Sequence, residues 1–240
     1  MSEDIQARVD EVRRRIAAAC ARAGRDPAEV TLVAVTKTFG PDDVRAAAEC
    51  GLTVFGESKV QEAAHKIPLC SGRLEWHMVG HLQRNKVRHA VELFKLIHAV
   101  DSPRLLETIS AASAEAGVTM PVLLEVNVSG EGGKFGMKPE EVSGVLAASG
   151  RLLAVSVLGL MTIPPFTEDP EGARPFCRRL RELRDRTRAE TGVELAQLSM
   201  GMSHDFEVAV EEGATLVRVG TAIFGQRKPT VRAVQSEEGE

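Results

Sequence analysis

The feature that most constrains the fold is a regular alternation of short apolar runs with longer amphipathic stretches. Eight apolar runs are typical of strands, from TLVAVTK (31–37) to ATLVRVG (214–220), and amphipathic segments such as PDDVRAAAECG lie between them. Strands that are apolar nearly throughout and separated by helices predict a parallel sheet covered on its faces. The sequence therefore predicts an α/β fold, a single TIM (β/α)8 barrel with an extra N-terminal helix over about residues 3–23. A doubly wound open sheet is the alternative, but no G-x-G-x-x-G follows the first strand.

The charge balance argues against nucleic acid and anionic membranes as partners. Thirty basic and thirty-four acidic residues give a net charge of -4, which offers no electrostatic attraction to either. The chain begins without the apolar core of a signal peptide and contains no apolar stretch long enough to span a bilayer. The cysteines lack the paired short spacing of zinc or redox motifs, so we expect reduced thiols and a cytoplasmic location. These cysteines are Cys20, Cys50, Cys70 and Cys177.

The predicted domain organisation is simple. We expect one barrel domain over residues 1–226 and a flexible C-terminal tail over 227–240. A closed barrel leaves no free strand edge, which favours a monomer and leaves weak dimerisation open.

Functional groups of TIM barrels gather at the carboxyl ends of the strands, where the loops converge. The segments SMGMSHD and RVGTAIFG follow the last two predicted strands, and these loops are the usual phosphate site of such barrels. Small residues let backbone N–H groups approach an anion, and we expect Ser203 to cap the following helix. We therefore expect a phosphate to be held by Ser199, Gly201, Gly220 and Thr221. Simple turn residues are the alternative for either segment taken alone.

Lys37 stands directly behind the first apolar strand. A lysine at a strand end can reach solvent or pair with a carboxylate, as for any strand. Here Val33, Val35 and Phe39 would desolvate the amine and make it a usable nucleophile toward an aldehyde. A reactive lysine and a phosphate site in one barrel mouth together suggest pyridoxal 5′-phosphate (PLP) as cofactor.

Several stretches carry a resemblance to a known family. VAVTKT, WHMVGHLQRNK, VDS, LLEVNVSGEGGKFG, GLMTI and LSMGMSHDFEVAVEEGATLVRVGTAIFG are similar to the pyridoxal phosphate homeostasis proteins, relatives of the barrel domain of bacterial alanine racemase. The resemblance runs from about residue 5 to 226. It implies that Lys37 holds PLP as a Schiff base (an aldimine) and that Arg218 faces the pyridine nitrogen.

The same resemblance implies the rest of the cofactor site. It places Ser199, Gly201, Gly220 and Thr221 around the phosphate. His81 and Met161 would line the ring pocket. One position departs from the family, because FGESKVQE has Ser58 where an asparagine is usual, and Ser58 would replace that amide as a cofactor contact.

Two features bear on whether such a protein turns over a substrate. A permanently charged Arg218 would discourage protonation of the ring nitrogen and weaken the ring as an electron sink, unless it only anchors a structural ion pair. The related racemases use a tyrosine as second base, and this chain has no tyrosine. We therefore predict a non-catalytic PLP-binding protein of PLP and amino acid homeostasis, with PLP-requiring apo-enzymes as acceptors. A PLP-dependent racemase or lyase is the alternative, and a cofactor-free class I aldolase is a third reading.

Three further motifs have weaker interpretations. His77 and His81 flank a strand end without the glutamate of a zinc protease motif, so we expect no metal. GEGGKFG lacks P-loop spacing and is interpreted as a lid over the mouth. Asp101 and Ser102 precede Pro103 and are predicted to cap a helix.

Overall fold

The computed structural model describes residues 2–226 and confirms the predicted barrel. Its eight parallel strands close in sequence order, with the last strand pairing with the first. They are β1 (Thr31–Val35), β2 (Val54–Glu57), β3 (Glu75–Met78), β4 (Leu96–Val100), β5 (Met120–Glu125), β6 (Val155–Met161), β7 (Gln197–Met202) and β8 (Leu216–Val219). The predicted tail, 227–240, lies outside the described residues.

Helices connect the strands and cover the outside of the barrel. They are α1 (Ser2–Arg22), α2 (Pro41–Glu49), α3 (Val60–Lys66), α4 (Val87–Leu93), α5 (Pro103–Glu115), α6 (Val142–Ser149), α7 (Arg174–Thr191), α8 (Phe206–Glu211) and α9 (Thr221–Phe224). Helix α1 is the predicted extra helix and packs against α2, α8 and α9. It does so through Ile5, Val9, Val12 and Ile16, whose spacing of three and four residues places them on one buried face.

Local chemistry explains where these helices begin and end. Pro41 and Pro103 occupy the first turns of α2 and α5, where a missing backbone N–H costs nothing. Ser102 caps α5 by accepting a hydrogen bond from the Leu105 N–H at 3.3 Å, as predicted. Gly192 ends α7 with φ +69, a left-handed conformation that glycine adopts without strain.

The barrel interior contains a small apolar cluster of its own, separate from the larger core between the barrel and its helices. Val33, Leu96, Leu123 and Leu216 belong to it. Side chains alternate along a strand, and the register pairs Val33 with Arg218 and Gly56 with His77. Arg218 and His77 are therefore polar side chains of the barrel interior. Buried polar side chains need hydrogen-bond partners.

The strands are shorter than the apolar runs that predicted them: β1 ends at Val35 instead of Lys37, and β8 covers Leu216–Val219 instead of 214–220. Strand β5 stops at Glu125, because Val126 turns away to bridge Met137 on the following loop. Strand β6 begins at Val155, after a turn in which Leu152 N–H donates to the Ser149 carbonyl. The cysteines of the described residues are unpaired, and none of the helices in that part of the chain has the length and apolarity to cross a membrane.

Candidate functional site

A cavity of about 390 Å³ opens at the carboxyl ends of the strands, and we call it the mouth cavity. It brings together residues of β1, β7 and β8 and of the segments that follow β1, β2, β3, β6, β7 and β8. Its walls are Val35, Lys37, Ser58, Val79, Gly80, Ile163, Met202, Ser203, His204, Arg218, Gly220 and Thr221. Of the predicted site residues, the structure thus places Lys37, Ser58, Arg218, Gly220 and Thr221 on one cavity.

Other predicted site residues do not line the mouth cavity. Met161 is buried in the apolar cluster of the barrel interior. His81 lines an adjoining cavity of about 350 Å³ that shares Ser58 and Gly80 with the mouth cavity. Its Nδ1 lies 3.0 Å from Oδ2 of Asp101.

The loop containing GEGGKFG contacts the rim of the barrel through one aromatic ring. Phe135 stacks on His81 with ring centroids 3.9 Å apart and an interplanar angle of 16°. Most of the Phe135 side chain is exposed. The stacking holds Phe135 against His81, and the role of the loop as a lid stays a prediction.

Gly201 is explained by packing. Its φ of +90 favours glycine, and an added Cβ would lie 2.6 Å from the Ala209 Cβ and 2.9 Å from the Phe206 Cα. Only a glycine lets α8 approach β7 this closely. The need for a glycine at position 201 is therefore explained by packing, and its predicted contact with a phosphate stays a prediction.

Ser203 has a different partner from the one predicted. We expected it to cap the following helix α8, but its Oγ accepts hydrogen bonds from the Gly220 and Ala222 N–H groups at 3.1 and 3.2 Å. Asp205 stands before α8 instead, and its Oδ1 accepts from the Met202 N–H at 2.6 Å. The prediction was wrong because the backbone N–H groups that donate to the Ser203 hydroxyl come from the segment after β8 and not from α8. Two amides of that turn converge on one oxygen atom at the cavity wall.

The residues on both sides of Lys37 are held by buried polar groups. Thr36 Oγ1 donates to Glu57 Oε1 at 2.6 Å, and Lys66 Nζ donates to the Thr36 carbonyl at 2.7 Å and to Glu57 Oε1 at 2.5 Å. Lys66 and Glu57 are almost completely buried. Burial raises the pKa of Glu57, and its contacts with Lys66 and Thr36 oppose that shift.

The segment after Lys37 is held by the same ammonium. Glu62 Oε1 accepts from Lys66 Nζ at 2.9 Å and from the Thr38 N–H at 2.6 Å. Thr38 has φ +72, a left-handed conformation that is costly for a β-branched residue. We call Thr36, Glu57, Glu62 and Lys66 the lysine clamp. Lys66 and Glu62 were not predicted from the sequence, although their i, i+4 spacing is a signal for a helical ion pair.

Arg218 lies at the floor of the mouth cavity and is 4% exposed. Its Nη1 donates to Ser199 Oγ at 2.5 Å, and its Nη2 donates to the Thr162 carbonyl at 3.0 Å. Burial lowers the pKa of Arg218 to about 10, with Glu125 and Asp205 opposing, so the guanidinium is charged at neutral pH. No carboxylate among residues 4–226, whose side chains are described, forms a direct ion pair with it, which disfavours the structural ion pair considered above.

Ser199 is fully buried beneath Arg218 and is absent from the walls of the mouth cavity. Its hydroxyl also lies 2.8 Å from Nδ1 of His98 on β4. Neither His98 nor His204, which lines the mouth cavity, was foreseen from the sequence. His204 lies two residues after the end of β7, whereas His98 lies in the middle of the apolar run of β4.

A carboxyl group with a shifted pKa lies nearby. Glu125 ends β5 and is buried. Burial raises its pKa to about 7, with Asp101 adding to the shift and Arg218 opposing it. Within the described part of the chain, no three histidine, cysteine or acidic side chains gather as a metal site would require.

Comparison with known proteins places this geometry in a family. The family model for the alanine racemase N-terminal domain matches residues 8–228. A pyridoxal phosphate homeostasis protein of Aquifex aeolicus is 47% identical over 92% of this chain and 97% of that protein. The pyridoxal phosphate homeostasis protein of Pseudomonas aeruginosa is 41% identical over 91% of this chain and 94% of that protein.

Solved structures agree with these sequence matches. PipY of Synechococcus elongatus with PLP bound superimposes with a TM-score of 0.81 at 32% identity, covering 92% of this chain and all of PipY (100%). Alanine racemase of Corynebacterium glutamicum shares the fold with a TM-score of 0.66 at 20% identity, covering 93% of this chain and 62% of the racemase.

Proposed function

This chain belongs to the pyridoxal phosphate homeostasis proteins of the alanine racemase N-terminal domain family, and on that premise we propose that its mouth cavity binds PLP through Lys37. One observation carries the proposal: Lys37, Arg218 and the hydroxyl residues Ser203 and Thr221 border the same cavity. PipY, a relative of known structure, has been solved with PLP bound. The predicted resemblance to this family is confirmed.

The residues present fit the chemical groups of PLP. The bound cofactor supplies an aldehyde for reaction with an amine and an aromatic ring that delocalises electrons. Lys37 offers the amine, and a Schiff base there forms a carbon–nitrogen double bond with release of water. The hydroxyls of Ser203 and Thr221 line the cavity and offer donors for the phosphate, while the Gly220 and Ala222 N–H groups donate to Ser203 Oγ and leave its own proton to be donated.

Arg218 favours storage of the cofactor over turnover. The guanidinium stays charged at neutral pH and lies at the cavity floor. In our proposal it faces the ring nitrogen, where a positive charge opposes protonation and leaves the ring a weak electron sink. The protein would then hold PLP and pass it to PLP-requiring apo-enzymes, which balances PLP and amino acid pools.

One observation supports the alternative of a PLP-dependent racemase or lyase. His204 lines the mouth cavity, and an imidazole there is a candidate second base in a chain without tyrosine. Its Nε2 lies 3.0 Å from the Thr167 carbonyl, which leaves Nδ1 as the nitrogen that could accept a proton. Incubation with single L-amino acids decides between the readings, because sustained loss of chirality that disappears in His204→Asn would favour the racemase.

The experiment that tests the proposal is a visible absorption spectrum of the protein with added PLP. We expect a Schiff-base band in the wild type and its loss in Lys37→Ala. Lys95→Ala is the matched control, since Lys95 is an exposed lysine directly before β4, at the opposite end of the barrel. An unchanged band in Lys37→Ala would refute the assignment of the lysine.

Transfer to an acceptor tests the carrier role separately. The loaded protein, freed of excess PLP, should restore activity to an apo-enzyme that requires PLP. A loaded protein that never activates the acceptor would leave PLP binding intact and remove the carrier function. A cytoplasmic location and a monomeric state stay predictions from the sequence.

A further inference from the structure

A continuous line of hydrogen bonds crosses the barrel interior below the mouth cavity. Arg218 Nη1 lies 2.5 Å from Ser199 Oγ, which lies 2.8 Å from His98 Nδ1. His98 Nε2 lies 3.0 Å from His77 Nδ1, and His77 Nε2 lies 2.9 Å from Glu75 Oε1. The members come from β8, β7, β4 and β3, so the line joins opposite sides of the barrel. We call these five residues the buried relay.

The buried relay connects the cavity to the other end of the barrel. Ser199 and His98 are 0% exposed, and His77 is 3% exposed. Glu75 is the first residue of β3, and its side chain is 52% exposed. One end of the relay therefore lies under the proposed cofactor site, and the other end meets solvent at the amino ends of the strands.

The donors and acceptors of the buried relay allow its hydrogen bonds to run in one direction only, from Arg218 as first donor to Glu75 as last acceptor. The Arg218 guanidinium can only donate, so the Ser199 oxygen accepts and the Ser199 hydroxyl donates to His98 Nδ1. His98 then carries its proton on Nε2 and donates to His77 Nδ1. His77 likewise carries its proton on Nε2 and donates to the Glu75 carboxylate. Every donor has an acceptor only when both imidazoles are neutral and both hold the Nε2–H form.

The surroundings favour these neutral imidazoles. Burial lowers the pKa of His98 well below its ordinary value, and His77 and Arg218 add to the shift. Burial also lowers the pKa of His77, while Glu75 opposes that shift. An added proton on His77 would bring its Nδ1–H face to face with the His98 Nε2–H, and one on His98 would remove the acceptor of the Ser199 hydroxyl.

We propose that Ser199, His98, His77 and Glu75 are positioning residues that fix the orientation of Arg218 under the cofactor, and that Ser199 acts in this relay rather than as a phosphate ligand. Arg218 has two fixed contacts, Ser199 Oγ through Nη1 and the Thr162 carbonyl through Nη2. Loss of the serine hydroxyl leaves a buried guanidinium N–H and His98 Nδ1 without this partner, which is costly for both. The other members of the buried relay likewise depend on their neighbours, because each would lose a buried hydrogen-bond partner.

Histidine NMR of the protein without cofactor tests the relay independently of the proposed function. Nitrogen-15 shifts at neutral pH should show His77 and His98 as neutral Nε2–H tautomers. In Glu75→Ala the His77 signal should become a mixture of tautomers, whereas Glu75→Gln, which keeps an acceptor oxygen, should preserve the wild-type signal. A charged imidazole, an Nδ1–H tautomer on His98, or a Glu75→Ala signal like the wild type would overturn the relay.

Paired binding of PLP and pyridoxal, which lacks the phosphate, tests the role of Ser199. As a positioning residue, Ser199→Ala should weaken both ligands by the same factor, about tenfold for one lost buried hydrogen bond. Thr221→Val is the control for a phosphate contact and should weaken PLP more than pyridoxal. Weakening of PLP alone in Ser199→Ala would overturn our assignment and return Ser199 to the phosphate.

This binding experiment rests on the proposed function, but the two failures are distinguishable. If the wild type binds neither PLP nor pyridoxal, the proposed function fails and the NMR result alone decides the relay. Should Ser199→Ala not fold, Glu75→Ala and Glu75→Gln carry the same comparison from the exposed end, with weaker binding of both ligands expected only for the alanine. Equal binding by these two variants would overturn the coupling to Arg218.

Discussion

At the scale of single residues, Lys66 determines how the backbone around Lys37 is held. Its buried ammonium contacts the Thr36 carbonyl before Lys37 and, through Glu62, the Thr38 N–H after it. Strand β1 ends at Val35, and the Thr36 N–H still donates to the Gly56 carbonyl of β2 at 3.0 Å. The lysine clamp adds side-chain contacts to this backbone where the sheet ends, on both sides of the proposed reactive amine.

Breaking the lysine clamp should destabilise the fold and slow the reaction at Lys37. Lys66→Met leaves the buried Glu57 carboxylate without its cation, for which we expect a loss of about 3 kcal/mol in the free energy of unfolding. Denaturant unfolding and the rate of band formation with PLP measure the two effects. The control is Lys66→Met with Glu57→Gln, which removes both charges and should recover most of the stability. A single variant as stable as the wild type would contradict the clamp.

Glu125 should make stability depend on pH. Its pKa is raised from 4.5 to about 7, so the folded protein keeps this proton where the unfolded chain releases it. The stabilisation is full below pH 4.5 and is lost as the pH rises through about 7. Glu125→Gln lacks this dependence and should gain on the order of 3 kcal/mol relative to the wild type between these limits. Parallel stability curves for the two proteins across that range would disprove the raised pKa.

At the scale of elements, the turns after β7 and β8 build the wall of the mouth cavity together. Ser203 from the first turn accepts two N–H groups of the second, which joins them side by side. Helix α8 packs closely against β7 because Gly201 has no side chain. The geometry of these backbone amides thus depends on one hydroxyl and one glycine.

Gly201→Ala should destabilise the fold far more than a glycine-to-alanine substitution that introduces backbone strain without a steric clash. Its Cβ would lie 2.6 Å from the Ala209 Cβ, with φ +90. We expect a loss of about 3 kcal/mol in unfolding free energy and weaker PLP binding. Gly130→Ala is the matched control, because Gly130 has φ +72 but no atom within 4 Å of its added Cβ. Calorimetry on the two variants decides, and similar losses would show that the close approach of α8 is unimportant.

At this scale the sequence predicts the elements well and their cross-contacts poorly. Apolar periodicity, Pro41 and Gly192 suffice to locate helices and strands, because these signals act within a few neighbouring residues. Gly220, a partner of Ser203, lies 17 residues away along the chain, and Ser199, a partner of His98, lies 101 residues away. Sequence spacing does not contain those distances, so the lysine clamp and the buried relay were missed.

At the scale of the whole molecule, the barrel brings distant strands to one mouth. Lys37 from the segment after β1 and Arg218 from β8 border the same cavity because β1 and β8 close the sheet. Predicting eight strands in order was therefore enough to expect Lys37, Gly220 and Thr221 together. The strand order did not predict that Ser199 lies below the cavity, that His81 lines the adjoining cavity and that Met161 lies in the apolar cluster. These positions depend on side-chain packing.

Binding of PLP should stabilise the whole barrel. A ligand that binds only the folded state adds about 2.7 kcal/mol at a concentration of one hundred times its dissociation constant. Thermal unfolding should therefore shift upward with PLP in the wild type and much less in Lys37→Ala. The control ligand is pyridoxine, which resembles PLP but has neither aldehyde nor phosphate. An equal shift in both proteins would argue against Lys37 as the anchor.

The most direct test of the central claim is the site of covalent attachment. The protein is loaded with PLP, reduced with borohydride and digested, and the peptides are mapped by mass spectrometry. Our account predicts a pyridoxyl phosphate adduct on the peptide that contains Lys37, and on Lys37 itself after fragmentation. An adduct confined to another lysine, with Lys37 unmodified, would contradict it.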